Sequence, residues 1–369
     1  MGGYGAVGRT TARLLRAWGC RLRIGGRDRD AARRFADEAL DGACEAMAVD
    51  IGDPGSMGRF CADCDVVVNC AGPSHVVLDR VAGVAFAAGA GYVDPGGDEP
   101  LHDLLAGAGL PPAGRTAVLS AGMMPGLTGL LPRWLAVGGP VRPTRLTAYV
   151  SSRDRFTPAS AGDYLLSLDG TDGASRAAWR HREKVTGVLR PLIDVELPFF
   201  PGRVNAYPYF NAEAERLALA LRLDTVDWYN IFDGGARMLA AVGRLQEAVA
   251  NGANLLGAAA DLCREAELEL FGREPVQRFV FQLDGESDVG PVRRTAVLRA
   301  RDTYELTGLV TALAVAAVTA RDIGPGLHYA ADVLAPSVVD RLRRSPIVTS
   351  IELLDVPVDA EGSFEEGVL

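Results

Sequence analysis

From Cys20 to Leu119 the chain alternates short apolar runs with helical stretches, joined by links of a few residues. "CRLRIGGR", "CEAMAVD", "DVVVNCAG", "GYVDPGG" and "RTAVLSAG" read as strands; "DRDAARRFADEAL", "PGSMGRFCAD", "VVLDRVAGVAFAAG" and "LHDLLAGAG" read as the helices between them. The run "VVV" is continuously apolar, as a strand covered on both faces requires. Strict alternation specifies parallel pairing, because each return to the same end of a sheet needs a crossover that a helix supplies. The expected fold class is α/β, with a Rossmann-type parallel sheet over residues 1–124.

The helix that opens this unit, "RTTARLL", follows "GGYGAVG". Gly3, Gly5 and Gly8 form G-x-G-x-x-G, and Gly3, Tyr4, Gly5, Ala6, Val7 and Gly8 are the predicted cradle for a dinucleotide pyrophosphate. Gly3 would permit the tight turn, Gly5 the approach of backbone to phosphate, and Gly8 the packing of helix on sheet. The next strand ends at Arg27, where an NAD site would place an acidic residue. An arginine suits a 2′-phosphate, and Arg29 could assist, so NADP is the expected cofactor. The competing reading of Arg27 is a solvated surface arginine. Asp28 or Asp30 is expected to cap the following helix. Asp50 and Ile51 end another strand where an adenine would lie. Asn69, Cys70, Ala71, Gly72 and Pro73 follow an inner strand, at the carboxyl edge where open α/β sheets bind ligands.

Only Met1 and Gly2 precede the motif, so the central strand that normally leads into the glycine loop is missing from the sequence. Its loss would leave two neighbouring strands unpaired in a buried place, at roughly 1–3 kcal/mol for each unsatisfied group. The expectation is a start assigned too late, with a few apolar residues upstream. A chain that truly starts at Met1 would have to recruit another strand or a partner.

After Pro125 the pattern changes. "TRLTAYVSS" reads as a strand, and "QRFVFQLDGES" and "VRRTAVLRARD" as paired antiparallel strands. "AGDYLLSLDG", the long stretch from Ala236 to Gly272, and "TYELTGLVTALAVAAVTA" read as helices. This is an expected α+β domain over 125–325, with a sheet face available for a substrate or, in a homodimer, a second subunit. Residues 326–369 are read as a returning segment with an acidic frayed tail, "DAEGSFEEGVL".

With 47 acidic against 38 basic residues and a net charge of -9, a nucleic-acid partner is disfavoured. Apolar runs stop short of a membrane span, and no signal peptide is visible, so a cytoplasmic protein without a membrane partner is expected. Lys184 is the sole lysine. Cys61 and Cys64 form C-x-x-C without a second such pair or a histidine pair, so they read as buried small residues, and no metal is expected.

"GGYGAVGR", "GGRDRDAARRFA", "VVNCAGP", "YVDPGGDEP" and "AVLSAGMMPGL" together resemble the saccharopine dehydrogenase-like family of NADP-binding reductases. The resemblance is clear over about the first 130 residues. Beyond them it is general, in "YPYFNAEAERLALAL" and "VLAPSVVDRL". It implies a Rossmann domain, a nicotinamide cofactor and hydride transfer. In better-known members the substrate is an imine formed from an amine and a carbonyl, and other members act on other double bonds. The scarcity of lysine departs from the lysine-pathway enzymes, which use lysine in catalysis, so this is not read as saccharopine dehydrogenase itself.

The implied chemistry needs a hydride acceptor and a proton donor at the crevice. His75, after "AGPS", and Asp94, at a strand end, are candidates; a helix-start histidine and a turn aspartate are the competing readings. Tyr207 and Tyr209 could donate a proton or form an aromatic strand face. His181 and Lys184 could lie on a loop over the site or on a solvated helix. The leading reading is an NADPH-dependent reductase of a C=N bond, of the imine or thiazoline kind, in specialised biosynthesis. One alternative is a C=C (enoyl) reductase for a bulky or carrier-bound substrate, marked by a long apolar cleft rather than an acid-lined pocket. Another is a non-catalytic NADP-binding sensor or scaffold, lacking polar groups around the nicotinamide.

Overall fold

The computed structural model describes residues 1–168, 176–233, 236–288 and 290–355. The acidic tail lies outside them. The N-terminal unit runs α1 (Ala6–Ala17), β1 (Arg23–Gly26), α2 (Arg29–Ala39), β2 (Glu45–Ala48), α3 (Pro54–Cys61), β3 (Val66–Val68), α4 (Ser74–Val77), α5 (Arg80–Ala87), β4 (Gly91–Val93), α6 (Glu99–Gly107) and β5 (Thr116–Leu119). The stretch read as one helix after Pro73 is two, α4 and α5. They part at Leu78, whose φ of 50° no α-helix continues. Asp28 caps α2, its Oδ1 accepting from Ala31 N at 3.0 Å.

Pairing is parallel throughout this unit. β1 pairs with β2, and β14 (Gly326–Tyr329), returning from near the end of the chain, joins β5, β4 and β3 in a four-stranded sheet. Between the two pieces lie Met1 to Gly3. Met1 N donates to Val68 O at 2.7 Å, and Cys70 N donates to Met1 O at 3.0 Å. Gly3 N donates to Gly25 O at 3.1 Å. Residues 1–3 therefore stand in the ladder where a strand between β1 and β3 ends. Met1 is buried among Phe60, Val67 and Tyr92, and burial lowers the pKa of its ammonium below 8.0.

The second unit comprises α7 (Leu127–Ala136), β6 (Arg142–Arg153), α8 (Pro158–Ser167), β7 (Ala178–Arg180), β8 (Glu183–Val185), β9 (Leu192–Glu196), β10 (Arg203–Pro208), α9 (Ala212–Ala220), β11 (Thr225–Phe232), α10 (Ala236–Ala250), α11 (Leu255–Leu270), β12 (Val276–Ser287), β13 (Gly290–Ala300), α12 (Thr303–Ala320), α13 (Ala330–Val333), α14 (Val338–Arg343) and β15 (Val348–Leu354). Its mixed sheet runs β15-β13-β12-β6-β11-β10-β9, with β7 and β8 attached at β11. β12 and β13 pair antiparallel from Gln277↔Ala300 to Ser287↔Gly290, as their alternation predicts.

α12 is long and apolar enough, by length and composition, to cross a membrane, contrary to the sequence reading. In the fold it packs against α1, β3 and β4, and this position between layers accounts for its apolarity. The core is continuous through it. Val93 and Val118 of the parallel sheet, Leu309 and Leu313 of α12, and Trp228, Phe279 and Phe281 of the large sheet belong to one buried cluster.

Candidate functional site

The glycine segment and the loop after β3 meet at the carboxyl edge of the parallel sheet, where open α/β sheets bind ligands. The positive φ of the glycine loop belongs to Gly2, at +64°, not to Gly3 as the motif suggested. A Cβ on Gly2 would lie 2.6 Å from Cys70 O. Gly3 is needed for contact instead: its Cβ would meet Ile24 Cγ2 at 3.0 Å. A Cβ on Gly8 would overlap the Gly2 carbonyl oxygen, which fits its expected role in close packing. α1 starts with Gly5 as its N-cap and has no side-chain cap, so the first-turn N–H groups of Ala6 and Val7 are left for an anion. This bare, side-chain-free cradle fits a pyrophosphate.

At the end of β1, Arg27 is exposed. The Tyr4 ring covers Gly26, and its hydroxyl accepts from Asp28 N at 3.0 Å. Asp28 is thereby occupied by capping. Arg9, which the sequence reading passed over, donates from Nε to Tyr4 O at 2.7 Å and lies over the Phe35 ring at 5.2 Å. It adds a second cation near Arg27's side of the crevice. Asp50 is exposed and closes a turn, accepting from Gly52 N at 2.8 Å, with Ile51 half-buried beside it.

Asn69 and Asp94 are buried together. Asp94 accepts from Asn69 Nδ2 at 3.0 Å, Tyr92 Oη at 2.6 Å and Gly96 N at 2.9 Å. Asn69 Oδ1 accepts in turn from Ala71 N at 3.1 Å. Burial raises the Asp94 pKa, against the three hydrogen bonds that hold its charge. At 2 % exposed, this carboxylate tethers loops 69–71 and 94–97 and is not positioned to meet a substrate. The competing reading, a turn, was the nearer one.

His75 is different. It begins α4 beside Gly72 and Pro73, its side chain is 30 % exposed, and its Nδ1 lies 3.0 Å from Asp163 Oδ1 of α8. Across the mouth, Asp98 binds Arg216 of α9 at 2.8 Å, and Arg216 lies 3.7 Å over the Tyr329 ring. Tyr207 packs edge-on against Phe232, as an aromatic strand face would. Tyr209 is the tyrosine near Asp98; burial raises its pKa and the Asp98 charge raises it further. His181 sits at the tip of the β7–β8 hairpin rather than on a helix, and Lys184 pairs with Glu215 at 3.8 Å. Cys61 is buried in the core, where desolvation pushes its thiol up to about 11 and keeps it protonated at neutral pH.

Glu213, also unforeseen, is 2 % exposed. From α9 it accepts from Gly126 N at 2.6 Å and from Thr128 Oγ1, at the start of α7. Burial raises it to about 7. In the sequence, Asn211 followed by Glu213 and Glu215 reads only as an ordinary acidic helix start.

Residues 1–118 match the family model of the saccharopine dehydrogenase NADP binding domain. No curated protein matches the sequence. Among solved structures the fold is similar to that of an apo saccharopine dehydrogenase (L-Glu forming) from Saccharomyces cerevisiae, at 16% identity and a TM-score of 0.64, covering 94% of this chain and 97% of that one. A putative myo-inositol dehydrogenase from Sinorhizobium meliloti aligns over 96% of this chain and 98% of its own at 9% identity, with a TM-score of only 0.42. The glycine cradle and the parallel sheet around it agree with that match: residues 1–118 form a domain of the saccharopine dehydrogenase NADP-binding kind, and the chain as a whole shares the fold of the yeast enzyme.

Proposed function

We propose that the protein is an NADPH-dependent reductase of a carbon–nitrogen double bond in a small metabolite, of the imine or thiazoline kind, with His75 as the proton donor to nitrogen. The observation that carries this reading is His75, partly exposed at the carboxyl edge of the parallel sheet and held there by the Asp163 carboxylate. Asp98 and Asp163 flank the loop that bears His75, each partly exposed. Carboxylates favour an iminium cation, the form of the substrate that best accepts hydride. A neutral enoyl group would call for an apolar cleft instead.

NADPH, when bound, supplies the hydride. The cradle from Gly2 to Gly8 would hold its pyrophosphate, and Arg27 would take the 2′-phosphate. His75 Nε2 would hold the proton that the substrate nitrogen gains as its π bond to carbon is reduced. The products would be an amine and NADP+, with the imidazole taking a proton back from water. The test is NADPH oxidation against cyclic imines, thiazolines and enoyl thioesters. Turnover of imines is expected, with His75→Gln lowering kcat/KM about 10²-fold or more while NADPH still binds. Turnover of enoyl thioesters alone would move the assignment to C=C reduction. Binding of NADPH with no turnover of imines or thiazolines counts against the reading.

A further inference from the structure

We infer that Asp163 is a positioning residue that reaches across from α8 to fix the tautomer and orientation of His75, an inference that rests on the reductase reading for its catalytic meaning. Three donors converge on this one carboxylate. Oδ2 accepts from Ser74 N at 2.8 Å; Oδ1 accepts from His75 N at 3.0 Å and lies 3.0 Å from His75 Nδ1. α4 has Pro73 at its N-cap and no side-chain cap of its own, so Asp163 supplies from another element the acceptors that this helix start lacks.

A carboxylate near neutral pH only accepts, so the hydrogen of the neutral ring belongs on Nδ1. That leaves Nε2 as the nitrogen for proton exchange: bare in the neutral ring, N–H in the protonated one. The arrangement is built on close packing. A Cβ on Gly162 would meet Pro73 Cγ at 3.0 Å, so a side chain at this turn of α8 would have to push the loop away by a few tenths of an ångström.

The frame behind Asp163 is fixed as well. Thr157 and Ser160 form a capping box at the start of α8. Tyr304 Oη accepts from Thr157 N at 2.8 Å and lies 2.9 Å from Ser160 Oγ, tying α8 to the first turn of α12. α12 packs in turn on α1, the cofactor helix. The carboxylate that aims His75 is thus referenced to the same helix that receives the pyrophosphate.

The experiment is Asp163→Ala in the full chain, read by the ¹⁵N spectrum of His75, NADPH titration and imine turnover. In the wild type the neutral ring should carry its hydrogen on Nδ1. An alanine leaves Nδ1–H without its acceptor, so the variant should shift the neutral ring toward the Nε2–H form and lose about tenfold or more in kcat, with KM and NADPH affinity held within about twofold. NADPH binding reports that the variant is folded, and Asp163→Glu should restore the Nδ1–H form. A wild-type ring already in the Nε2–H form, or a variant with tautomer and kcat unchanged, overturns the inference. The tautomer shift seen in a protein that turns over no imine supports the geometry and overturns the reductase reading instead.

Discussion

Glu213 should make the stability of this protein fall as pH rises through neutrality. The carboxyl is buried, faces the like charge of Asp98, and is held at about 7 against an ordinary 4.5, chiefly by desolvation; Arg216 and the donors Gly126 N and Thr128 Oγ1 oppose that shift only in part. A group whose folded pKa lies above its unfolded value stabilises the fold fully below the unfolded value. It loses that contribution as pH climbs through the folded value. The window is therefore from 4.5 to somewhat above 7, and the gap corresponds to about 3 kcal/mol at 1.36 kcal/mol per pH unit. Glu213→Gln mimics the protonated acid: its amide oxygen still accepts from Gly126 N, and its NH₂ donates to the Thr128 hydroxyl, which can turn to accept. Urea unfolding at pH 5 and pH 8 measures both proteins. The wild type should lose up to about 3 kcal/mol relative to the variant between the two pH values. Parallel pH dependences would refute the reasoning, because they would mean that Glu213 does not change protonation on folding over this range.

Arg27→Ala should weaken NADPH by about 1.5–3 kcal/mol, roughly ten- to a hundredfold, and leave NADH nearly unchanged; equal losses in titrations of both cofactors would make Arg27 structural. A chain that begins at Met1 buries an ammonium whose pKa is lowered by desolvation, so it should lose stability as pH falls through 8. Adding about five β-branched residues ahead of Met1, to run between β1 and β3, should remove that dependence and raise Tm by about 1 °C for each kcal/mol gained. An unchanged Tm would show that these edges gain nothing from an added strand.

The sequence by itself determined what depends on neighbours along the chain. The alternation from Cys20 to Leu119 specified parallel pairing, the glycine spacing specified the cradle, and Arg27 in place of an acid pointed to NADP. The two alternating runs from Gln277 and Val292 specified an antiparallel pair. Local pattern failed where burial erases it. α7, "LTGLLPRWLA", is buried along most of its length and contains Pro132, so neither periodicity nor a breaker rule marks it as a helix. Tertiary structure alone decided which polar groups do what. Asp94 and His75 looked alike as candidates in the sequence, but packing sank the first beneath Tyr92 and Asn69 and left the second at the surface of the crevice. Asp163 lies 88 residues from His75, and Glu213 lies 87 from Gly126. No spacing rule connects such pairs, because their distance is set by how α8 and α9 dock on the parallel sheet. The protonation behaviour of a carboxylate follows from that docking, through the water it excludes and the donors it brings within reach.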